Sequence, residues 1–111
     1  MNNKLKYHHI GIPTNNPING EIYLPEYKCY HYGFENSKYG IEYMRYEEEC
    51  KLPEIVKTKP HIAFEVENIY EYIKDKKIII NPNSPSEGNI VVFIEDEGMP
   101  IELIQINKKV Q

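Results

Sequence analysis

The chain has no tryptophan, only two cysteines and no long apolar run, and each shortage excludes something. The longest apolar stretch, Ile90 to Ile94, falls far short of the roughly 20 residues that a membrane-spanning helix needs. The opening "MNNKLKYHH" contains no apolar segment of signal-peptide type, so secretion is not expected. Cys29 and Cys50 form no CxxC pair and are expected as free thiols in a reducing cytoplasm. Basic residues are also short: 13 Lys and Arg stand against 17 Asp and Glu, for a net charge of −4, and they are scattered. That argues against nucleic acid as a partner. No linker or low-complexity segment divides the 111 residues, so a single domain is expected. Tyrosine, by contrast, occurs ten times. Its apolar ring and polar hydroxyl suit cavity walls and interfaces.

Period-two alternation predicts seven strands: Leu5 to Ile12, Glu26 to Gly33, Gly40 to Glu48, Pro60 to Val66, Lys77 to Pro82, Asn89 to Asp96 and Pro100 to Asn107. Turn-forming stretches separate them, such as "TNNPING", "FENSKYG", "NPNSPSEG" and "DEGMP". One helix is predicted over Asn68 to Lys76, with Asn68 as its cap and Ile69, Tyr72 and Ile73 on one face. A short helical turn fits "LPEIVKT". No helical pattern occurs between Pro13 and Pro25.

The chain also repeats itself. "HIGIPTNNP" matches "HIAFEVENI", and "GIEYMRY" matches "PIELIQI", in the same order in each half. Each half therefore runs from a strand with an early histidine, His9 or His61, to a strand with an early glutamate, Glu42 or Glu102. Alternation places His9 with Tyr7 and Gly11, and His61 with Ala63 and Glu65, on faces of small or polar residues. Glu42 shares a face with Met44 and Tyr46, and Glu102 with Ile104 and Ile106. A carboxylate among large apolar side chains needs a partner. Two readings follow: buried core histidines satisfied by hydrogen bonds, or a metal site of two histidines and two glutamates. The matched pairs favour the metal. The set His9, Glu42, His61 and Glu102 is a mixed nitrogen and oxygen donor set suited to Zn, Ni, Co, Fe or Mn. His8 is expected to pack, because neighbours on a strand face apart. Arg45 is expected in a surface pair, with a substrate carboxylate as the alternative partner, Glu47 to Glu49 as a solvated strand end, and His31 away from any ligand.

The pairs "HHIGI … IEYMRY" and "HIAFEV … IELIQI", with the turn "DEGMPIEL", resemble the vicinal oxygen chelate superfamily, which includes glyoxalase I, methylmalonyl-CoA epimerase, extradiol dioxygenases and the bleomycin resistance proteins. The resemblance spans nearly the whole chain. It implies an α+β fold of two βαβββ modules, about 4–50 and 58–107, forming a curled, barrel-like mixed sheet around a cavity. The helix of the first module is expected to be reduced to a loop. The resemblance places His9, Glu42, His61 and Glu102 on the ligand positions, with Glu102 or Glu42 as a proton-transferring base. It implies a metal-dependent lyase or isomerase acting on a small hydroxy-carbonyl compound or thioester. The alternative is a non-catalytic protein of the same fold that binds a drug or metabolite. A homodimer is expected, from the resemblance and from the tyrosine-rich edges of so small a chain.

Overall fold

Alternating residues build eight strands in the computed structural model, which describes residues 4–85 and 88–107. They are β1 (Lys6–Pro13), β2 (Ile22–Leu24), β3 (Cys29–Tyr32), β4 (Ile41–Tyr46), β5 (His61–Glu65), β6 (Lys77–Asn83), β7 (Asn89–Asp96) and β8 (Met99–Ile106). All eight join one mixed sheet in the order β2-β3-β4-β1-β5-β8-β7-β6. The sheet curls into a half-barrel. Two short helices, α1 (Glu54–Thr58) and α2 (Ile69–Tyr72), complete an α+β fold.

The order reads as one module followed by its rotated copy. In the first, β1 lies parallel to β4, which continues antiparallel through β3 to β2; in the second, β5 lies parallel to β8, which continues through β7 to β6. Antiparallel pairing of β1 with β5 joins the halves. In that seam His9 lies opposite Ala63 and Gly11 opposite His61. On the outer sides Gly11 faces Glu42 and Ala63 faces Glu102. The sequence repeat thus becomes an approximate two-fold axis between the two central strands. Each histidine has across from it the small residue of the other repeat.

The main core lies under α2, on the convex face of the second module. Val66, Ile69, Ile73, Val92, Ile94 and Leu103 are buried there. Alternation sends Ala63, Val91 and Ile104 to the opposite, concave face, where Phe93 packs on them. Asn68 caps α2 as expected, its side chain accepting from the backbone N–H groups of Tyr70 and Glu71. The helix is shorter than the predicted Asn68 to Lys76. It closes at Ile73, and Lys76 turns back to reach Asp96 Oδ2 at 3.0 Å, because Lys77 must already pair with Glu95 in the sheet.

Two further departures lie in the first module. The stretch between Pro13 and Pro25 is free of helix, as its pattern implied, but it contains β2. Three residues are too few to show an alternation. The strand predicted from Glu26 starts only at Cys29, because residues 25–28 form a turn that ends with Lys28 at φ 53°. Of the turn expected at "NPNSPSEG", Ser86 and Glu87 lie outside the described residues. Among the described residues, no helix is long and apolar enough to cross a membrane.

Candidate metal centre

The two-fold arrangement of small residues decides where the histidine rings can go. The ring of His61 lies against Gly11: a Cβ at that position would come within 2.2 Å of His61 Cε1. Glycine is needed here for close approach rather than for an unusual backbone angle. His9 is 7% exposed and His61 3%. Both rings point into the concave face, where an aromatic ring supports each. Phe93 meets His61 edge-on at 5.1 Å between centroids, and Phe34 meets His9 edge-on at 5.6 Å.

Three of the four expected ligands converge. His61 Nε2 lies 3.0 Å from Glu102 Oε1, and His9 Nε2 lies 3.3 Å from the same oxygen. The two Nε2 atoms are 3.4 Å apart. His9, His61 and Glu102 therefore form a buried group that could hold a metal ion. The donor set fits a divalent cation, since two imidazole nitrogens and a carboxylate oxygen are common ligands of zinc and related metals. Glu42 stands one step away. Its Oε1 is 3.8 Å from His9 Nε2, while its Oε2 pairs with His31 Nδ1 at 2.9 Å.

Electrostatics bind the trio together without a cation. Burial disfavours charge on Glu102, but hydrogen bonds from His61 and His9 overcome it and hold its carboxyl down at about 2. Burial likewise disfavours protonated His9, yet the hydrogen bond to Glu102 and the charges of Glu102 and Glu42 raise its pKa above 6.5. A proton on His9 thus takes part of the role that a cation would fill.

His8 departs from the sequence reading. A β-bulge between Tyr7 and His9 breaks the alternation, so both rings come together. His8 Nδ1 lies 2.8 Å from His9 Nδ1, and the His8 ring stacks on Phe34 with centroids 5.2 Å apart. The bulge rests on Gly40, where φ is +72° and a Cβ would come within 2.9 Å of the His8 carbonyl oxygen. Burial, followed by repulsion from His9, lowers the His8 pKa and so favours the neutral ring. Its Nδ1 can therefore accept a hydrogen bond from His9 Nδ1–H, leaving His9 Nε2 directed at the group. Metal-binding imidazoles are commonly oriented in this way.

The site lies in a cavity of about 220 Å³. That is smaller than the range of about 300–1,000 Å³ usual for drug-sized ligands. Its walls come from both modules. Leu24, Met44, Leu52, Val56, Ile80 and Val91 supply apolar surface. Tyr27 donates to Asn83 Oδ1 at 3.3 Å, linking the turn after β2 to the end of β6. Cys29 also lines the cavity, where burial and then the neighbouring Cys50 push its thiol up to about 12, so it is no nucleophile. Both cysteines are free and buried.

His31, expected to stand apart, lines the cavity and holds Glu42. Its alternation with Tyr30 and Tyr32 would have placed it on the inner face once β3 was known to border β4. Arg45 behaves as expected: it forms a two-pronged pair with Glu21, with Nε 3.1 Å from Oε1, and its guanidinium lies 4.1 Å above the Tyr30 ring. Glu48 and Glu49 form an exposed turn, and Glu47 accepts a hydrogen bond from the Tyr23 hydroxyl at 2.8 Å.

No protein family and no curated protein matches this chain. Among solved structures it is similar to the hypothetical protein BH1468 from Bacillus halodurans C-125, with a TM-score of 0.69 and 21% sequence identity over 96% of this chain and 98% of that one. At that identity the likeness establishes the shared fold, and the function has to be argued from the site.

Proposed function

We propose that the chain belongs to the vicinal oxygen chelate superfamily and is a metal-dependent lyase or isomerase acting on a small hydroxy-carbonyl compound or thioester. The observation that carries this reading is the meeting of His9 Nε2, His61 Nε2 and Glu102 Oε1 within 3.4 Å of one another in the lining of a cavity. His9, His61 and Glu102 would hold the ion, and Glu42, with Oε1 3.8 Å from His9 Nε2, stands beside them. A divalent cation held there would supply Lewis-acid stabilisation of the negative charge that develops on a substrate oxygen. Of the two expected bases, Glu42 is the better placed, because it is outside the convergent group. Its carboxylate can take a proton from the carbon beside a carbonyl, while His31 orients it through Oε2.

The second reading is a non-catalytic binding protein of the same fold. Its support is the apolar cavity wall, which suits ligand retention as well as chemistry. Metal content separates the two. The enzyme reading expects a stoichiometric divalent ion in the purified protein, lost in His61→Ala with the circular dichroism spectrum retained. A protein that remains metal-free when offered Zn, Ni, Co, Fe and Mn belongs to the second reading. A homodimer and a cytoplasmic location are part of the proposal; the buried free thiols accord with a reducing compartment.

A further inference from the structure

We infer that the ligand of this cavity, beyond any oxygens that meet a metal, is compact, apolar and uncharged, and that anionic substrates are excluded. The inference rests on the proposed metal reading only for the chelating end of the ligand. It narrows the substrate class by rejecting thioesters and conjugates carried on anionic groups.

The charges of the wall carry the argument. Among the described residues the cavity is lined by two carboxylates, Glu42 and Glu102, and by no lysine or arginine. The chain's single arginine, Arg45, alternates with the inward-facing Met44 and lies on the convex side, occupied by Glu21. Apart from Tyr46, the polar side chains of the wall have partners within the protein. His31 is paired with Glu42. Tyr27 donates to Asn83 Oδ1, and Asn83 Nδ2 donates to the Asn81 carbonyl at 2.8 Å. Glu102 is shared by His9 and His61. A carboxylate or phosphate entering this space would lose its water and find no lysine or arginine in the wall, the imidazole of His9 being already engaged by Glu102, with two like charges nearby. A divalent cation on the trio would be balanced by Glu102 and Glu42, leaving no excess positive charge for a second anionic group.

Size points the same way. A cavity of about 220 Å³, with the hydrogen-bonded Tyr27 and Asn83 in its wall, admits a small body bounded by Leu24, Met44, Ile80 and Val91. A nucleotide- or peptide-linked carrier would have to remain outside.

The test compares three probes with one chelating head: benzohydroxamic acid and its 3-carboxy and 4-carboxy derivatives. Each is titrated into the Co(II)-loaded full chain, followed by the cobalt visible absorption. Each is also titrated into the metal-free chain, followed by amide NMR shifts at Val91 and Phe93. The unsubstituted probe should bind at least about 100-fold more tightly than either carboxylate in the cobalt protein, with the same ranking in the metal-free chain. Failure of cobalt to bind would count against the metal reading alone, because the metal-free titration still ranks the probes. A carboxylated probe that binds as tightly as the unsubstituted one overturns the inference. So does the absence of binding by all three.

Discussion

His8 shows how much of this site depends on a residue that is not itself a ligand. It meets His9 through a single hydrogen bond, Nδ1 to Nδ1 at 2.8 Å, and an edge contact between the rings, and its ring is otherwise held by stacking on Phe34. Phenylalanine at position 8 keeps the stack and removes the nitrogen. His8→Phe should therefore weaken divalent-metal affinity by about 10–100-fold, read by isothermal titration calorimetry, with little change in melting temperature. A parallel loss of thermal stability would mean that His8 acts only through packing. The trio itself makes a pH prediction. His9, raised above 6.5, contributes stability that is complete below 6.5 and is lost as pH rises through its folded value. Glu102, lowered from 4.5 to about 2, contributes stability that is present above 4.5 and is lost as pH falls towards 2. Both shifts describe one shared interaction and are not additive. The metal-free protein should therefore be most stable between about pH 4.5 and 6.5, losing stability on either side. Urea unfolding across pH checks this, and Glu102→Gln should flatten both limbs. Metal affinity runs the other way, rising as His9 loses its proton.

Among the elements, the β1–β5 seam carries the most information, because it places each histidine opposite the other repeat's small residue. Gly11→Ala tests that register. The added methyl group would occupy the place of the His61 ring, so the ring must leave or the strands must part. The expected outcome is loss of metal uptake and about 1–3 kcal/mol of destabilisation in urea unfolding. Adding His61→Ala to Gly11→Ala should recover much of the stability but none of the metal binding. The seam was legible in the sequence because "HIG" and "HIA" repeat a histidine, an isoleucine and a small residue. Long strands such as β7 and β8 were legible for a related reason: each alternates over eight residues and buries one face under α2. Three features were not. β2 is three residues long and takes its identity from pairing with β3. The truncation of α2 follows from the pairing of Lys77 with Glu95, a tertiary requirement that local helical pattern does not contain. The His8 bulge depends on Gly40, which is distant in sequence and meets His8 only after β1 and β4 align. His31 belongs with these: its role required the strand order, which no local pattern states.

At the scale of the whole molecule, the two halves differ in how they cover their convex faces. The second module has α2 over Val92, Ile94 and Leu103. The first has no α-helix between β1 and β2, the place corresponding to α2. Because His31, Glu42 and Met44 face the cavity, alternation turns Tyr30, Tyr32, Tyr43 and Arg45 outward. Tyr23 lies tilted beside Tyr30 with ring centroids 4.7 Å apart, and Tyr43 remains 40% exposed. A face of tyrosines with one arginine has the composition enriched at the centres of protein interfaces. A second copy, packed face to face about a two-fold axis, would cover there what α2 covers in the other module. Light scattering at micromolar concentration should return the mass of two chains. Tyr43→Glu, which puts a charge at the middle of that face and leaves the cavity side of β4 untouched, should return the mass of one chain while metal uptake is retained. A wild-type mass of one chain would remove the dimer from the proposal, and a Tyr43→Glu dimer would place the interface elsewhere on the sheet.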